Sequence, residues 1–468
     1  MKLKKNYRTN VYMALISIFG FIGFLFLNTE SHGLIITELS TVEWFVKYGG
    51  NDTDQGWDCA VDSNNNSYLI GTITLDSGAT NATLLKYNVN GTLMWERQWG
   101  GSSVDYGNGG CTDSANNVYL VGYTKSLGTD LINGDCFIAK YNDDGTLLWN
   151  RTWGTSGYDS ASDVLVDSDF NVYITGFCDN ATHGRNSLYL KYNSSGDLQF
   201  ALNWGGINSE TAYGIEKTST GNIVISGQTG SYGAGSTDVF VLYYSPTGSL
   251  IWNTTWGSST LDRGYDCAVD SLNNIYVAGW TYYPDDLMAG AGVYNINFVL
   301  IKFDINGNTL WSRIWGRENM DYGMGVDVDS EDNIYFVGDG TIDGWGLENI
   351  YIGKFNSSGI LLSETLWGGG DFEAGHSITI NKATNDIYIA GDSASFNLEH
   401  SFDLVMIKNP TFPSVDYQNS DDNNNSDDNN DFENNQDTDS ISGYNIIITL
   451  GIFSATLIII LKLKYRKN

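Results

Sequence analysis

The chain has 468 residues, and its 55 Asp and Glu residues against 24 Lys and Arg residues give a formal net charge of −31. This excess of acid excludes a nucleic-acid partner, because no basic surface is available to neutralise phosphates. Only 4 prolines accompany 54 glycines, a balance typical of short strands joined by tight turns.

The first predicted element is an apolar segment near the N-terminus. Four basic residues lie within the first ten positions, and an apolar run from Val11 to Leu27 follows them. This order predicts a signal peptide or a signal anchor over residues 1–33. No small-residue cleavage pattern is evident before Gly33, so both alternatives stay open.

From Val42 onward the chain repeats one segment, which ends in an aromatic residue and glycine. In the copy WERQWG, Trp95 and Trp99 are four residues apart and therefore share one face of a strand. Burial against a neighbouring sheet explains such a face without a cofactor. The copies end at Tyr48, Trp99, Trp153, Trp204, Trp256, Trp315 and Trp367.

Each interval between copies is about 50 residues long and holds four short strand patterns, which we label a to d. Patterns b and c each occur seven times, but no d pattern follows Lys408. The missing d pattern stands alone at Val42–Gly49. The sequence therefore predicts an all-β fold, a seven-bladed β-propeller over residues 41–410 that an N-terminal strand closes.

The residues from Asp105 to Trp149 resemble the SBBP-type β-propeller repeat of bacterial and archaeal surface and secreted proteins. The shared order is acid-x-Gly, then Asp-Ser-x-x-Asn-x-Tyr-x-x-Gly, then Lys-Tyr-Asn-x-x-Gly-x-Leu-x-Trp. The resemblance covers residues 41–408, implies a membrane-anchored cell-surface propeller and brings no catalytic residues. The fourth repeat departs from it, since Glu216–Thr220 lacks the Asp-Ser turn and Tyr243 replaces the lysine.

The segments after the repeats predict membrane attachment. Residues 411–443 are rich in Asp and Asn and predict a disordered acidic stalk. Residues 444–461 are apolar enough for a transmembrane helix, with a buried core helix as the alternative, and residues 462–468 form a basic tail. We expect the propeller outside the cell, where sequons such as Asn150 are open to glycosylation, and the tail in the cytoplasm.

An acidic residue follows every aromatic-glycine pair at the same distance, near the point where strand d leads to strand a. Each carboxylate has two interpretations: it accepts backbone N–H bonds in the crossover, or it joins a ring that binds a hard cation such as Ca²⁺. The pattern requires no cofactor. The seven candidate metal ligands are Asp54, Asp105, Asp159, Glu210, Asp262, Asp321 and Glu373.

The turn between strands a and b carries Asp-Ser-x-x-Asn in most repeats. Asp62, Asn64 and Asn66 have the oxygen spacing that begins a calcium loop, and an Asx turn explains the same residues equally well.

Several aromatic residues fall outside the repeated pattern, and exposed aromatics in loops on a rigid scaffold commonly bind partners. Packing within the loops is the alternative. The candidate partner-binding residues are Trp57, Trp280, Tyr282, Tyr283, Tyr294 and Trp345.

The five cysteines do not form a recognisable disulfide framework. Cys59, Cys111 and Cys267 occupy equivalent places in three repeats, which predicts that they lie in separate blades as small buried groups. A bridge between Cys136 and Cys178 stays open.

These patterns favour a surface-displayed binding or adhesion module for a protein or glycan partner. Strands a and c run one way and strands b and d the other, so the b–c loops share one face, which we expect to bind the partner. Both ends of the propeller leave from the opposite face, which we expect to face the membrane. No catalytic motif occurs, so enzyme activity is not predicted, but a glycan hydrolase or lyase at the channel mouth and a structural surface component stay as alternatives.

Overall fold

The computed structural model describes residues 42–50, 52–180, 184–282, 296–316, 320–341, 348–395, 401–412, 446–452 and 455–461. The predicted signal segment at residues 1–33 and nearly all of the predicted stalk lie outside these residues. The chain divides into two compact units, Met1–Val415 and Asp416–Asn468.

The described part of the first unit forms seven four-stranded antiparallel sheets, which confirms the predicted seven-bladed propeller. The chain begins with β1 (Trp44–Tyr48). Blade 1 contains β2 (Gln55–Val61), β3 (Ser67–Thr74), β4 (Thr80–Tyr87) and β5 (Leu93–Trp99). Blade 2 contains β6 (Asp105–Thr112), β7 (Val118–Thr124), β8 (Asp135–Tyr141) and β9 (Leu147–Trp153). Blade 3 contains β10 (Asp159–Val166), β11 (Val172–Asn180), β12 (Gly184–Tyr192) and β13 (Leu198–Trp204).

The remaining four blades repeat this order of strands. Blade 4 contains β14 (Glu210–Lys217), β15 (Ile223–Thr229), β16 (Asp238–Tyr244) and β17 (Leu250–Trp256). Blade 5 contains β18 (Asp262–Val269), β19 (Ile275–Tyr282), β20 (Ile296–Phe303) and β21 (Thr309–Trp315). Blade 6 contains β22 (Tyr322–Val328), β23 (Ile334–Thr341), β24 (Glu348–Phe355) and β25 (Leu361–Trp367). Blade 7 contains β26 (Glu373–Asn381), β27 (Asp386–Ser393), β28 (Asp403–Lys408) and β1.

The ring closes where β1 pairs antiparallel with β28, with Trp44 opposite Lys408 and Phe45 opposite Ile407. The N-terminal strand thus supplies the missing outer strand of blade 7, as predicted. Lys408 Nζ also forms an ion pair with Glu43 Oε1, 2.9 Å away. The propeller therefore begins and ends at the same edge, on the face that carries the turns between strands a and b and between strands c and d. We call this the tight-turn face and its opposite the b–c loop face.

The hydrophobic core lies between neighbouring blades, because strands b and c are apolar on both faces. All seven residues of β7 are buried, for example. The repeated tryptophans fill the outer part of each interface: Trp99 of blade 1 is 6% exposed and stacks on Phe137 of blade 2, with ring centroids 3.8 Å apart. Burial of one such ring contributes about 4–6 kcal/mol of gross transfer free energy, which explains the repeated residue.

A Trp-x-Arg sequence on strand d holds the c–d turn of the next blade. Arg97 donates to the carbonyl oxygens of Gly145 and Asp144 at 2.5 and 3.1 Å, while Trp95 donates to Asp143 at 3.0 Å. Gly145 has φ of 74° and lies against the Trp95 ring, so a side chain there would be strained and would displace the indole. The sequence pattern thus encodes a contact between blades.

The Asp-Ser-x-x-Asn segments are Asx turns. Asp62 Oδ1 accepts the backbone N–H groups of Asn64 and Asn66, both at 2.9 Å. Ser63 donates to Asn116 Oδ1 in the corresponding turn of blade 2, at 2.8 Å. The Asx interpretation therefore accounts for these residues, and the turns link neighbouring blades on the tight-turn face.

The cysteine prediction agrees with the structure, since all five cysteines are free and Cys59, Cys111 and Cys267 lie in blades 1, 2 and 5. Cys59 and Cys267 are buried and Cys111 is half-buried.

The described part of the second unit is a hairpin of β29 (Ile446–Ile452) and β30 (Ala455–Leu461), where the sequence predicts a transmembrane helix. The helix is therefore not supported. Runs of β-branched isoleucine favour strands, and Gly451 lies near the turn. No helix within the described residues is long and apolar enough to cross a bilayer.

Candidate functional site: the central channel

The inner strand of every blade carries a β-bulge at the same place. In blade 1 the bulge lies between Gly56 and Asp58, so that Trp57 is the extra residue, and in blade 7 it lies between Gly375 and Ser377, around His376. A bulge re-aims one side chain and bends the strand. The seven extra residues, which we call the channel ring, are Trp57, Asn108, Ser162, Tyr213, Tyr265, Met324 and His376.

All seven channel-ring residues line one cavity of about 480 Å³, to which every blade contributes. The cavity therefore occupies the central channel, and its volume is in the usual range for a ligand site. Within the ring, Trp57 packs on His376 with ring centroids 4.6 Å apart, and Tyr213 packs on Tyr265 at 4.7 Å.

A glycine or alanine precedes each channel-ring residue because a strand of the neighbouring blade leaves little room for a side chain. A Cβ on Gly56 would lie 2.5 Å from the carbonyl oxygen of Gly391 in blade 7. The repeat therefore reads acid-x-(Gly or Ala)-X, where X is the channel-ring residue. The residue type at X varies between blades, whereas the acid and the small residue before it recur in every blade.

The residue after each channel-ring residue alternates between Asp and Gly through six blades: Asp58, Gly109, Asp163, Gly214, Asp266 and Gly325. Each Asp links its own blade to the next, as Asp163 accepts N–H bonds from Val164 at 2.6 Å and from Ile215 of blade 4 at 3.0 Å. Each Gly lies where the next blade comes too close for a side chain, since a Cβ on Gly109 would lie 2.5 Å from Ser162 O.

Because the number of blades is odd, Asp and Gly cannot alternate from blade to blade around the whole ring. Blade 7 has Ser377 at this position, and its Oγ donates to Asp58 Oδ1 at 2.6 Å. Asp58 also accepts the N–H of Gly110 in blade 2 at 2.8 Å. Asp58 is thus bonded to both neighbouring blades, and the junction of blades 7 and 1 differs from the other six.

The cavity lining is strongly acidic. Among the residues that the structure describes, it contains the carboxyl groups of Asp58, Asp163, Glu216, Asp266 and Asp327 and no lysine or arginine. Burial raises the pKa of Asp58 to about 6, although hydrogen bonds from Ser377, Gly110 and Cys59 act against this. Burial also raises the pKa values of Asp163 and Asp266, and repulsion between these carboxylates adds to the effect. A cation in the channel would relieve both effects.

Within the described part of the chain, His376 is the one lining residue with a basic side chain. Burial lowers its pKa, but the ion pair and hydrogen bond with Asp392, 3.1 Å away, outweigh burial, and the pKa lies above its usual value.

The seven predicted metal ligands do not meet at one point. They are nearly fully buried, and each lies at the start of strand a in its own blade. Glu210, for example, accepts the N–H of Gly206 at 2.9 Å and the hydroxyl of Thr229 at 2.9 Å. Within the described residues no three His, Cys, Asp or Glu side chains are grouped so that they could hold a metal ion. Calcium binding by all seven stays a prediction.

The predicted partner-binding aromatics are dispersed. Trp57 belongs to the channel ring, whereas Trp280 is only 5% exposed and packs against Tyr322 and Arg263, so it does not lie on an exposed loop. Its position next to Gly279 in strand b explains the burial. Tyr282 ends β19. Tyr283, Tyr294 and Trp345 lie outside the described residues.

Sequence reasoning did not identify six of the channel-ring residues. The variable residue X in acid-x-(Gly or Ala)-X is the feature of the sequence that marks these positions. The direction of its side chain depends on a β-bulge, which an alignment of the repeats does not reveal.

No protein-family model matches the chain. The chain is 23% identical over 321 residues to an uncharacterised WD repeat-containing protein of Acanthamoeba polyphaga mimivirus; the match covers 58% of this chain and 20% of that protein. The chain thus spans only a fifth of the length of this relative.

Solved structures of similar shape include YCF48 bound to D1 peptide, at 10% identity and a TM-score of 0.46, covering 80% of this chain and 97% of that one. The β-propeller domain of the Trilobed protease from Pyrococcus furiosus, which has an open velcro topology, is 8% identical with a TM-score of 0.44, covering 76% and 95%. The chain itself is a β-propeller repeat protein by its strand order.

Proposed function

We propose that this chain is a cell-surface binding module of the SBBP type, and that its channel receives a basic side chain of a protein partner docked on the b–c loop face. The observation that carries the proposal is the channel lining, which among the described residues has five carboxyl groups, three channel-ring aromatics and no lysine or arginine. An acidic cleft attracts cations over long range, and aromatic faces bind lysine and arginine by cation–π contact.

Exposed apolar residues on the b–c loop face support a protein partner. In the loop between β7 and β8, Leu131 is 58% exposed and Ile132 is 81% exposed, and Tyr232 between β15 and β16 is 45% exposed. Apolar and aromatic side chains on a polar rim are typical of protein interfaces. The cavity lining also includes Tyr158 and Phe177, which lie at the b–c loop end of blade 3.

The hydrolase alternative is less well supported, because a general acid needs a carboxyl oxygen that can reach the substrate. Asp163 and Asp266 each use both oxygens to accept backbone N–H bonds, and so does Asp58. These carboxylates are therefore better suited to holding blades together and supplying negative charge.

Binding of short peptides to the full chain tests the proposal. We expect peptides with lysine or arginine to bind and matched glutamine peptides not to bind, as measured by fluorescence anisotropy. Affinity should fall with added salt and below about pH 6, where Asp58 becomes protonated. Tyr213→Leu with Tyr265→Leu should weaken binding about 3- to 30-fold.

Leu272→Ala, a change at a 75% exposed residue on the tight-turn face, is the control and should leave peptide affinity unaltered. Equal binding of lysine and glutamine peptides would refute the proposal. Binding of glycans that the channel variants abolish would instead favour the glycan alternative.

The membrane setting belongs to the same proposal. It is supported by the apolar segment 444–461 with its basic tail and by the exit of both propeller ends from the tight-turn face. Labelling of Ile132→Cys and Asp144→Cys in intact cells tests it, and the five native cysteines are free but mostly buried. We expect a membrane-proximal quencher to affect the label at position 144 only; equal quenching of the two would contradict the orientation.

A further inference from the structure

In six of the seven blades the glycine after the d strand lies between two side-chain oxygens from different blades. A Cβ on Gly257 would lie 2.1 Å from Asp238 Oδ1 and 2.8 Å from Asp262 Oδ2. Asp262 is one of the seven acids that begin strand a, while Asp238 begins strand c of the preceding blade. The residues at the strand-c position are Asn81, Asp135, Asn186, Asp238, Asn297, Asn349 and Asp403.

Asparagine and aspartate have different consequences at this position. Asn81 and Asn186 also turn Oδ1 toward the glycine, without a hydrogen-bond partner among the described residues, but an asparagine is uncharged and its amide can flip to donate to the facing carboxylate. An ionised aspartate has no donor, so two carboxylates face each other across the glycine. Asp238 with Asp262 and Asp403 with Asp54 are such pairs. Asp135 and Asp159 occupy the same positions of the repeat, and the charge of Asp135 acts on Asp159.

In blade 7 a lysine side chain lies beside the facing carboxylates and offsets part of their negative charge. Lys47 on β1 lies opposite Val405, and its Nζ is 2.6 Å from Asp403 Oδ2. The residues in the same register position are Thr152, opposite Phe137, and Thr255, opposite Phe240. Strand d therefore brings no positive charge to the other two pairs.

Each of those two pairs contains a buried oxygen without a hydrogen-bond partner. Asp135 is fully buried and Asp238 is 1% exposed, and among the described residues neither Oδ1 atom has a partner. The other oxygen of each side chain holds the b–c loop: Asp135 Oδ2 accepts the Thr129 hydroxyl at 2.8 Å, and Asp238 Oδ2 accepts Gly235 N–H at 2.9 Å.

The electrostatics of the pairs agree with this geometry. Burial raises the pKa of Asp159 to about 6 against hydrogen bonds from Thr155, and the charge of Asp135 contributes to the increase. Burial raises the pKa of Asp238 as well, again with a contribution from Asp262.

We propose that the pairs Asp135–Asp159 and Asp238–Asp262 each bind a hard divalent cation, Ca²⁺ in an extracellular setting. The side chains of the pairs offer only oxygen ligands, which Ca²⁺ prefers, and an unpartnered carboxylate oxygen is available in each pair. Only two carboxylates contribute to each site, so water completes the coordination and the affinity is that of extracellular modules, with Kd on the order of 10⁻⁴–10⁻³ M. The cation connects the b–c loops of blades 2 and 4 to the next inner strand.

Calcium titration of the full chain tests the proposal. We expect two sites per chain in calorimetry and an increase in Tm of about 2–4 °C at saturating Ca²⁺ relative to chelator. Terbium should bind with emission sensitised by Trp153 and Trp256, which precede the two glycines. Asp135→Asn with Asp238→Asn, which copies the other blades, should abolish these responses without lowering Tm in chelator.

The matched control is Asp403→Asn, the same change where Lys47 already supplies the charge, and it should leave the calcium response intact. Thr152→Lys with Thr255→Lys offers a second test, because lysine at the Lys47 position should raise Tm in chelator and eliminate calcium binding. An unchanged Tm at saturating Ca²⁺ would overturn the proposal. A stoichiometry near seven would overturn it in favour of a site in every blade.

Discussion

At the residue scale, one position of the repeat is stabilised by an ion pair in some blades and by an uncharged hydrogen bond in blade 4. Lys86 of blade 1 is fully buried, its Nζ lies 3.2 Å from Asp62 Oδ2, and it sits 5.1 Å from the centre of the Tyr68 ring. Blade 4 replaces the charged pair by Thr218 and Tyr243. There Asn222 donates to the Tyr243 hydroxyl at 3.0 Å, and the blade folds without the ion pair.

This comparison leads to a prediction for Lys86. Lys86→Met should lower the free energy of unfolding by about 3 kcal/mol, because it leaves a buried carboxylate without its counterion. Asp62→Thr combined with Lys86→Tyr, which copies blade 4, should recover at least half of the loss. Urea unfolding of Asp62→Thr, of Lys86→Tyr and of the double variant measures the coupling free energy between the two positions. Strictly additive losses of stability would contradict the prediction.

The sequence predicts some of these residue roles and not others. The Trp positions and the Asx turns follow from local rules, because alternation and turn geometry act within a few residues. The partnership of Asp135 with Asp159 does not, since it depends on two strands of different blades converging on Gly154. The channel ring was also missed, because one extra residue in a bulge reverses which side chain faces the axis.

At the element scale, the closing strand was predictable because the count of strand patterns leaves one d strand at the start and one vacancy at the end. The exact register was not predictable from the count, and the structure places Trp44 opposite Lys408. Hydropathy alone predicts a helix for the C-terminal apolar segment. Hydropathy does not distinguish a helix from isoleucine-rich strands, so it could not predict the hairpin.

Removal of β1 should disrupt the whole ring. A chain that lacks residues 42–49 leaves β28 as an open edge and exposes Val405 and Ile407 of the blade 7 core, so we expect aggregation and loss of a single cooperative transition. Size-exclusion chromatography and thermal unfolding measure this. A synthetic peptide of residues 42–49 added in trans should restore the monomer, and the same peptide with Val46→Pro serves as the control. A monomeric, cooperative truncated protein would disprove the closure.

At the scale of the whole molecule, buried carboxyl groups determine how stability depends on pH. Burial raises the pKa of Asp58 and of Asp159 to about 6 and that of Asp339 to about 7. Burial also acts to raise the pKa of Asp113 in a tight turn, but hydrogen bonds from Asn117 and Tyr119 outweigh it and hold the pKa below its usual value. The two groups of carboxyls therefore respond in opposite directions.

We predict a stability maximum near pH 5. The first group holds more protons in the folded protein than in the unfolded chain between their usual pKa and the raised values, so the free energy of unfolding increases as pH falls from about 8 to about 5. Below about pH 4 the second group loses its stabilising bonds and stability declines. Thermal unfolding in chelator should show Tm higher by at least about 2 °C at pH 5.5 than at pH 8; a Tm that decreases over that range would contradict the prediction.

The alternation of Asp and Gly beside the channel ring has a consequence for the ancestry of the fold. Blades 1, 3 and 5 share one kind of junction and blades 2, 4 and 6 another, so the heritable unit that duplicates without mismatch is a pair of blades. In a ring of seven, the odd blade meets a neighbour that does not match the alternation, and Ser377 donates to Asp58 at that junction. Homologues that gained or lost one blade should therefore have no such serine, because an even ring repeats the pair without interruption.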